Sequence, residues 1–143
     1  MNTPNMPPAF TWQVRIYYED TDAGGIVFYA NYLKFFERAR TEWLRATGVI
    51  QQTLAEQEGA IFVVKHASID YQAPAKLDDV LDLTLSIEKL GRASIQFVQQ
   101  AWRGDTLLAS AQVKVGCVDS QTLRPRSLPP ATAAKMRAAS LTP

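Results

Sequence analysis

Residues 80–90 alternate in character: Leu81, Leu83, Leu85 and Ile87 fall on one side, Asp82, Thr84, Ser86 and Glu88 on the other. A period of two predicts a strand with one buried face and one wet face. Strands are likewise expected over 12–18, 61–71, 93–103 and 107–118, the last with Ala109, Ala111, Val113, Val115 and Cys117 on one side. Turns are expected at Ala73-Pro74 and Gly104-Asp105. One stretch obeys a different period. Over 31–47, Tyr32, Phe35, Phe36, Ala39, Trp43 and Ala46 share a single helical face. Asn31 is the expected N-cap and Gly48 the residue just past the C-terminus. Arg38 and Glu42, one turn apart, are expected to pair. A second helical stretch is expected over 51–58, and a short helix in the tail through Arg137.

One long amphipathic helix among antiparallel strands predicts an α+β fold in which the helix plugs one face of a curled sheet. The 143 residues are expected to form one domain. Residues 1–11 read as a flexible lead-in, since three prolines fall in the first ten residues, and 130–143 as a C-terminal tail. The chain is 47% apolar and 20% charged, the balance of an ordinary soluble domain. A formal charge of +1 excludes a general nucleic-acid binder, which needs a basic excess. A single cysteine allows no intrachain disulfide. The start, MNTPNMPPAF, has no signal-like apolar segment, and no apolar run is long enough for a bilayer. A cytoplasmic protein without direct membrane insertion is expected.

The available chemistry narrows quickly. One His and one Cys cannot make a Cys/His metal cluster, so no metal is expected. A G-x-S-x-G elbow, a Walker-type P-loop and a Rossmann glycine fingerprint are all missing. His66 sits within an expected strand and reads as a packed or solvated side chain. What remains is Asp20-Thr21-Asp22-Ala23-Gly24-Gly25. Taken alone, it reads as a turn. Its acids, however, lie where a strand hands over to the long helix, and its glycines leave room for a ligand. The helix N-terminus that follows offers free N–H groups and a positive dipole end to an oxygen acquiring charge. A carboxylate beside such donors is what thioester hydrolysis needs, because a thiolate leaves readily without its own acid.

The run YYEDTDAGGIVFYANYLKFFERARTEWLR resembles the signature of the Tol–Pal-associated acyl-CoA thioesterases of the YbgC type, relatives of the 4-hydroxybenzoyl-CoA thioesterases. The resemblance continues through FVVKHASIDYQAPAKLDDVLDL and VGCVDSQTLRPRSLP. It implies a hotdog fold, an antiparallel sheet wrapped around one long helix, with subunits paired edge to edge as dimers or tetramers and sites at the dimer interface. By position, the catalytic aspartate falls on Asp22, as nucleophile or general base. The backbone N–H that polarises the thioester carbonyl falls near Tyr29, where YbgC-type proteins commonly carry histidine and the hydroxybenzoyl-CoA relatives tolerate tyrosine. Substrate contacts are expected at Gly24 and Gly25, at Val63, Val64 and Lys65 along a pantetheine tunnel, and at Arg92 near the coenzyme A phosphates. No separate cofactor is expected, since coenzyme A belongs to the substrate; acyl carrier protein is a further expected partner. Rival readings are a hotdog dehydratase or hydratase, which usually recruits an Asp/His pair, and an acyl-carrier-protein-binding or scaffolding module with weak activity.

Overall fold

The structure is a computed structural model that describes residues 8–140. Strand β1 spans Phe10–Arg15 and helix α1 spans Asn31–Thr47. A short helix, α2, over Gln51–Thr53 widens into a π turn at Leu54–Glu58. Then come β2 (Ala60–Tyr71), β3 (Val80–Leu90), β4 (Ser94–Arg103), β5 (Thr106–Asp119) and helix α3 (Pro130–Ser140). The five strands form one antiparallel sheet in the order β1-β3-β4-β5-β2. Its edges are the short β1 and the 12-residue β2.

Helix α1 packs its apolar stripe onto one face of this sheet, the hotdog arrangement that the resemblance implies. Phe35, Phe36, Ala39 and Trp43 are buried against Leu81, Leu83 and Leu85 of β3 and Ile95 and Phe97 of β4. Trp43 meets Phe97 edge to face, with centroids 5.7 Å apart. Each such large side chain contributes about 2 kcal/mol by leaving water.

Several expectations shift at element boundaries. The first strand begins at Phe10 and stops at Arg15, so Phe10 and Thr11 of the expected lead-in are strand; residues 1–7 of it lie outside the described residues. It stops because the Asp20 carboxylate accepts the Tyr17 N–H at 2.8 Å and winds residues Tyr18–Asp20 into a 3-10 turn. Ala30, not Asn31, occupies the cap position of α1. Asn31 is the first helical residue, and its side chain donates to the Asp20 carbonyl at 2.8 Å. Glu42 pairs with Arg45 at 2.6 Å rather than with Arg38. The alternation in β3 breaks at Glu88, where the register with β4 slips. Gly48 ends α1 as expected, in the left-handed region with φ 95°.

Candidate active site

The loop from β1 to α1 is fastened at three levels. The Asp20 carbonyl accepts the Phe28 N–H at 3.1 Å and the Asn31 side chain, closing the loop on itself. Thr21 bridges Val27, and the Asp22 N–H reaches the Ile26 carbonyl at 2.9 Å. Ile26 and Val27 are held in turn by the segment before β3, through the Ile26–Lys76 bridge and the bond from the Val27 N–H to the Ala75 carbonyl at 2.8 Å. That segment is itself clamped by Asp79, whose carboxylate accepts the Lys76 N–H at 2.8 Å and Arg103 at 2.9 Å. Burial alone would lift the Asp79 carboxyl, but those two donors outweigh it and hold it below its ordinary range.

Asp22 stands at the tip of the fastened loop. The turn 22–25 closes with the Gly25 N–H on the Asp22 carbonyl at 3.0 Å. Gly25 has φ 81°, a conformation that L side chains rarely adopt. One Asp22 carboxylate oxygen accepts the Gly24 N–H at 2.8 Å. A Cβ on Gly24 would lie 3.2 Å from that oxygen, close enough to push the carboxylate by a few tenths of an ångström. The second oxygen accepts nothing among the described residues, and the side chain is exposed.

Further along the same segment lies the entrance to α1, whose cap position makes no side-chain hydrogen bond and whose first turn holds no acid. The N–H groups of Asn31, Tyr32 and Leu33 find the carbonyls of Phe28, Tyr29 and Ala30 at 2.8, 3.3 and 3.1 Å. Those of Tyr29 and Ala30 find no acceptor among the described residues. Unpaired amides at the positive end of a 17-residue helix favour a developing anion. The Tyr29 side chain is 63% exposed and meets Phe28 and Tyr71 at centroid distances of 5.0 and 6.0 Å. Tyr71, the last residue of β2, donates its hydroxyl to the Tyr29 carbonyl at 2.9 Å. Partial burial raises the Tyr71 pKa, and nearby Tyr29 adds to the effect, so the group stays a protonated donor.

Asp22, Gly24 and Gly25 share one turn, and Tyr29 follows on the same segment, between the Phe28 bond to Asp20 and the start of α1. The other expected contacts do not join them within one protomer. Val64 lines a cavity of ≈ 80 Å³ further along α1, with Phe62, Phe97, Arg40, Thr41 and Glu37. Val63, opposite Gly116, lies on the other face of the sheet. Lys65 is the extra residue of a bulge, and its Cδ is 2.7 Å from where a Gly116 Cβ would be. Arg92 sits in the β3–β4 turn, bonded through Nε to the Ser127 hydroxyl at 3.0 Å. That turn lies toward the Ala60 end of β2, whereas Asp22 and Tyr29 lie toward the Tyr71 end, roughly 35 Å away at about 3.3 Å per residue. His66 stands opposite the exposed Lys114. Within one protomer it makes no hydrogen bond with the Asp22 turn.

Three residues near these groups escaped the sequence reading: Tyr71, Arg40 and Gln99. Gln99 is fully buried; its amide donates to the Phe36 carbonyl at 2.9 Å and its oxygen accepts from Arg40 at 3.0 Å. Burial lowers the Arg40 pKa, with Glu37 opposing. The signal for Gln99 was available, as a polar residue on the apolar side of Ile95, Phe97 and Ala101.

An antiparallel sheet wrapped around one long helix is the hotdog architecture, and the comparisons with known proteins give the class. The chain belongs to the thioesterase-like superfamily, whose family model matches residues 16–136. It is 49% identical over 120 residues to the acyl-CoA thioesterase YbgC of Haemophilus influenzae, covering 84% of this chain and 88% of that one. Identity to the acyl-CoA thioester hydrolase YbgC of Escherichia coli is 45% over 129 residues, covering 90% and 96%. A crystal structure of a probable thioesterase from Bartonella henselae superposes with a TM-score of 0.80 at 37% identity, over 84% of this chain and 98% of that one.

Proposed function

We infer that the protein hydrolyses acyl-CoA thioesters to coenzyme A and a carboxylic acid, and that Asp22 carries the reaction. One observation supports this most: a carboxylate with an uncommitted oxygen shares a fastened segment with two unpaired N–H groups at a helix entrance. Asp22 either attacks the carbonyl carbon or takes a proton from the attacking water. In both routes the carbonyl oxygen gains negative charge, the carbon–sulfur bond breaks and the thiolate leaves. In this reading the Tyr29 and Ala30 amides receive that charge. Oxygen label entering Asp22 from labelled water in a single turnover marks the anhydride route.

The site is completed by a second copy of the chain. Strand β2 is a long edge with mostly exposed side chains and, among the described residues, no strand on its outer side. Such an edge calls for a partner. Antiparallel pairing of β2 with its copy about a two-fold axis sets the Ala60 end of one protomer beside the Tyr71 end of the other. The partner's cavity and its phosphate-binding arginine at position 92 then approach Asp22, with residues 63–65 at the join. Dimers pair further into a homotetramer in this proposal. Its setting is the cytoplasm, beside the Tol–Pal system, and acyl carrier protein is a further partner; among the described residues no helix is long and apolar enough to cross a membrane.

Thiol release from an acyl-CoA panel, with light scattering on the same sample, tests this reading. Release by a dimer or larger assembly is expected. A fully active monomer contradicts the composite site, and an inert protein contradicts the activity.

A further inference from the structure

In a trans peptide the carbonyl and the following N–H point in opposite directions, so whatever holds the oxygen also aims the hydrogen. The two open amides at the α1 entrance are aimed by different means. The Tyr29 N–H shares its peptide plane with the Phe28 carbonyl, which accepts the Asn31 N–H at 2.8 Å. The helix backbone thus sets this donor by itself. The Ala30 N–H shares its plane with the Tyr29 carbonyl. That carbonyl has only a long bond from the Tyr32 N–H, at 3.3 Å, and a shorter one from the Tyr71 hydroxyl, at 2.9 Å. The second donor therefore depends on a side chain from a strand 42 residues away in sequence.

We propose that Tyr71 is a positioning residue: by holding the Tyr29 carbonyl, its hydroxyl aims the Ala30 N–H at the thioester oxygen as a second donor. The inference rests on the reading of the α1 entrance as the place where the carbonyl oxygen is bound. A bond accepted at a peptide oxygen also polarises the N–H of the same unit, so the hydroxyl strengthens this donor as well as orienting it. The Tyr71 ring is held independently, edge-on to Tyr32 and Tyr29 with centroids 5.4 and 6.0 Å apart. Removing only the oxygen leaves those ring contacts in place. Tyr71 touches no reacting atom; it works through the peptide it holds.

The experiment compares wild type, Tyr71→Phe, Asp22→Asn and the double variant as full chains. Tyr71→Phe is expected to lower kcat about tenfold, a fraction of the ~100-fold loss from deleting a donor outright, with KM within about twofold. Benzoyl-CoA or butyryl-CoA, whichever turns over faster, is labelled at its carbonyl carbon and mixed with Asp22→Asn, whose slowed cleavage leaves time to record the bound thioester. Its infrared carbonyl band is expected to lie at higher frequency in the double variant, reporting a weaker bond to the oxygen. An unchanged kcat in Tyr71→Phe overturns the proposal. A kcat loss with an unmoved carbonyl band overturns it too, because a merely structural role would produce that result. If Asp22→Asn itself hydrolyses at the wild-type rate, the underlying assignment of the site fails instead.

Discussion

The two ends of α1 are finished in opposite ways. At the C-terminal end Gly48 turns left-handed and sends its N–H to the Arg45 carbonyl at 3.0 Å. The Val49 N–H returns to the Leu44 carbonyl at 2.8 Å, and Lys135 of α3 reaches the Gly48 carbonyl at 3.3 Å. The helix is closed by its own chain there. At the N-terminal end no side chain caps the helix, and the Tyr29 and Ala30 amides find no acceptor among the described residues. Open amides cost stability unless something occupies them. One end of the helix is closed by hydrogen bonds and the other is left open, the end where the proposed function puts the substrate oxygen.

Substitutions that act at one end only sharpen this contrast. Asp22→Asn keeps the shape and the Gly24 bond but removes the charge, and it is expected to lower kcat about 1000-fold while the melting temperature holds. Gly24→Ala crowds the carboxylate at 3.2 Å. Small displacements of a reacting group are costly, so about a tenfold loss of kcat is expected with little change in melting temperature. Between the two ends, Gln99→Leu deprives Arg40 of its acceptor. Urea unfolding is expected to show a loss of about 2 kcal/mol. At the closed end, Gly48→Ala forces a side chain into φ 95°. That costs about 1 kcal/mol, or roughly 4 °C in melting temperature, with kcat unchanged. A large loss of activity from Gly48→Ala would break the division of labour.

The smallest effect concerns the clamp beneath the Asp22 turn. The folded-state pKa of Asp79 is depressed by Lys76 and Arg103. Its contribution is therefore present above the ordinary carboxylate range and lost as pH falls through the lower folded-state value. Wild type is expected to melt slightly above Asp79→Asn at neutral pH, with the gap closing in strong acid.

The helix and the succession of strands along the chain were legible because burial repeats at fixed periods, 3.6 along α1 and two along β3. Boundaries were less so. Asn31 looks like a cap, but the loop recruits its amide for the Asp20 carbonyl, and only the fold shows that competition. Of the candidate site, the Asp22, Gly24 and Gly25 turn was readable because it occupies one short run, where sequence neighbours are spatial neighbours. Val63, Lys65 and Arg92 depend on strand register. The bulge at Lys65 and the opposite placement of Arg92 follow from pairing across the sheet, which alternation alone does not encode. Tyr71 joins the site across 42 residues by a single hydroxyl bond, and periodicity offers no hint of it.

The most direct measurement sets binding against turnover in Asp22→Asn. Calorimetric titration with an acyl-CoA and thiol release on the same preparation separate the two. The account predicts a folded protein that binds the thioester near wild-type strength and releases thiol at about a thousandth of the wild-type rate. Release at the wild-type rate would contradict it.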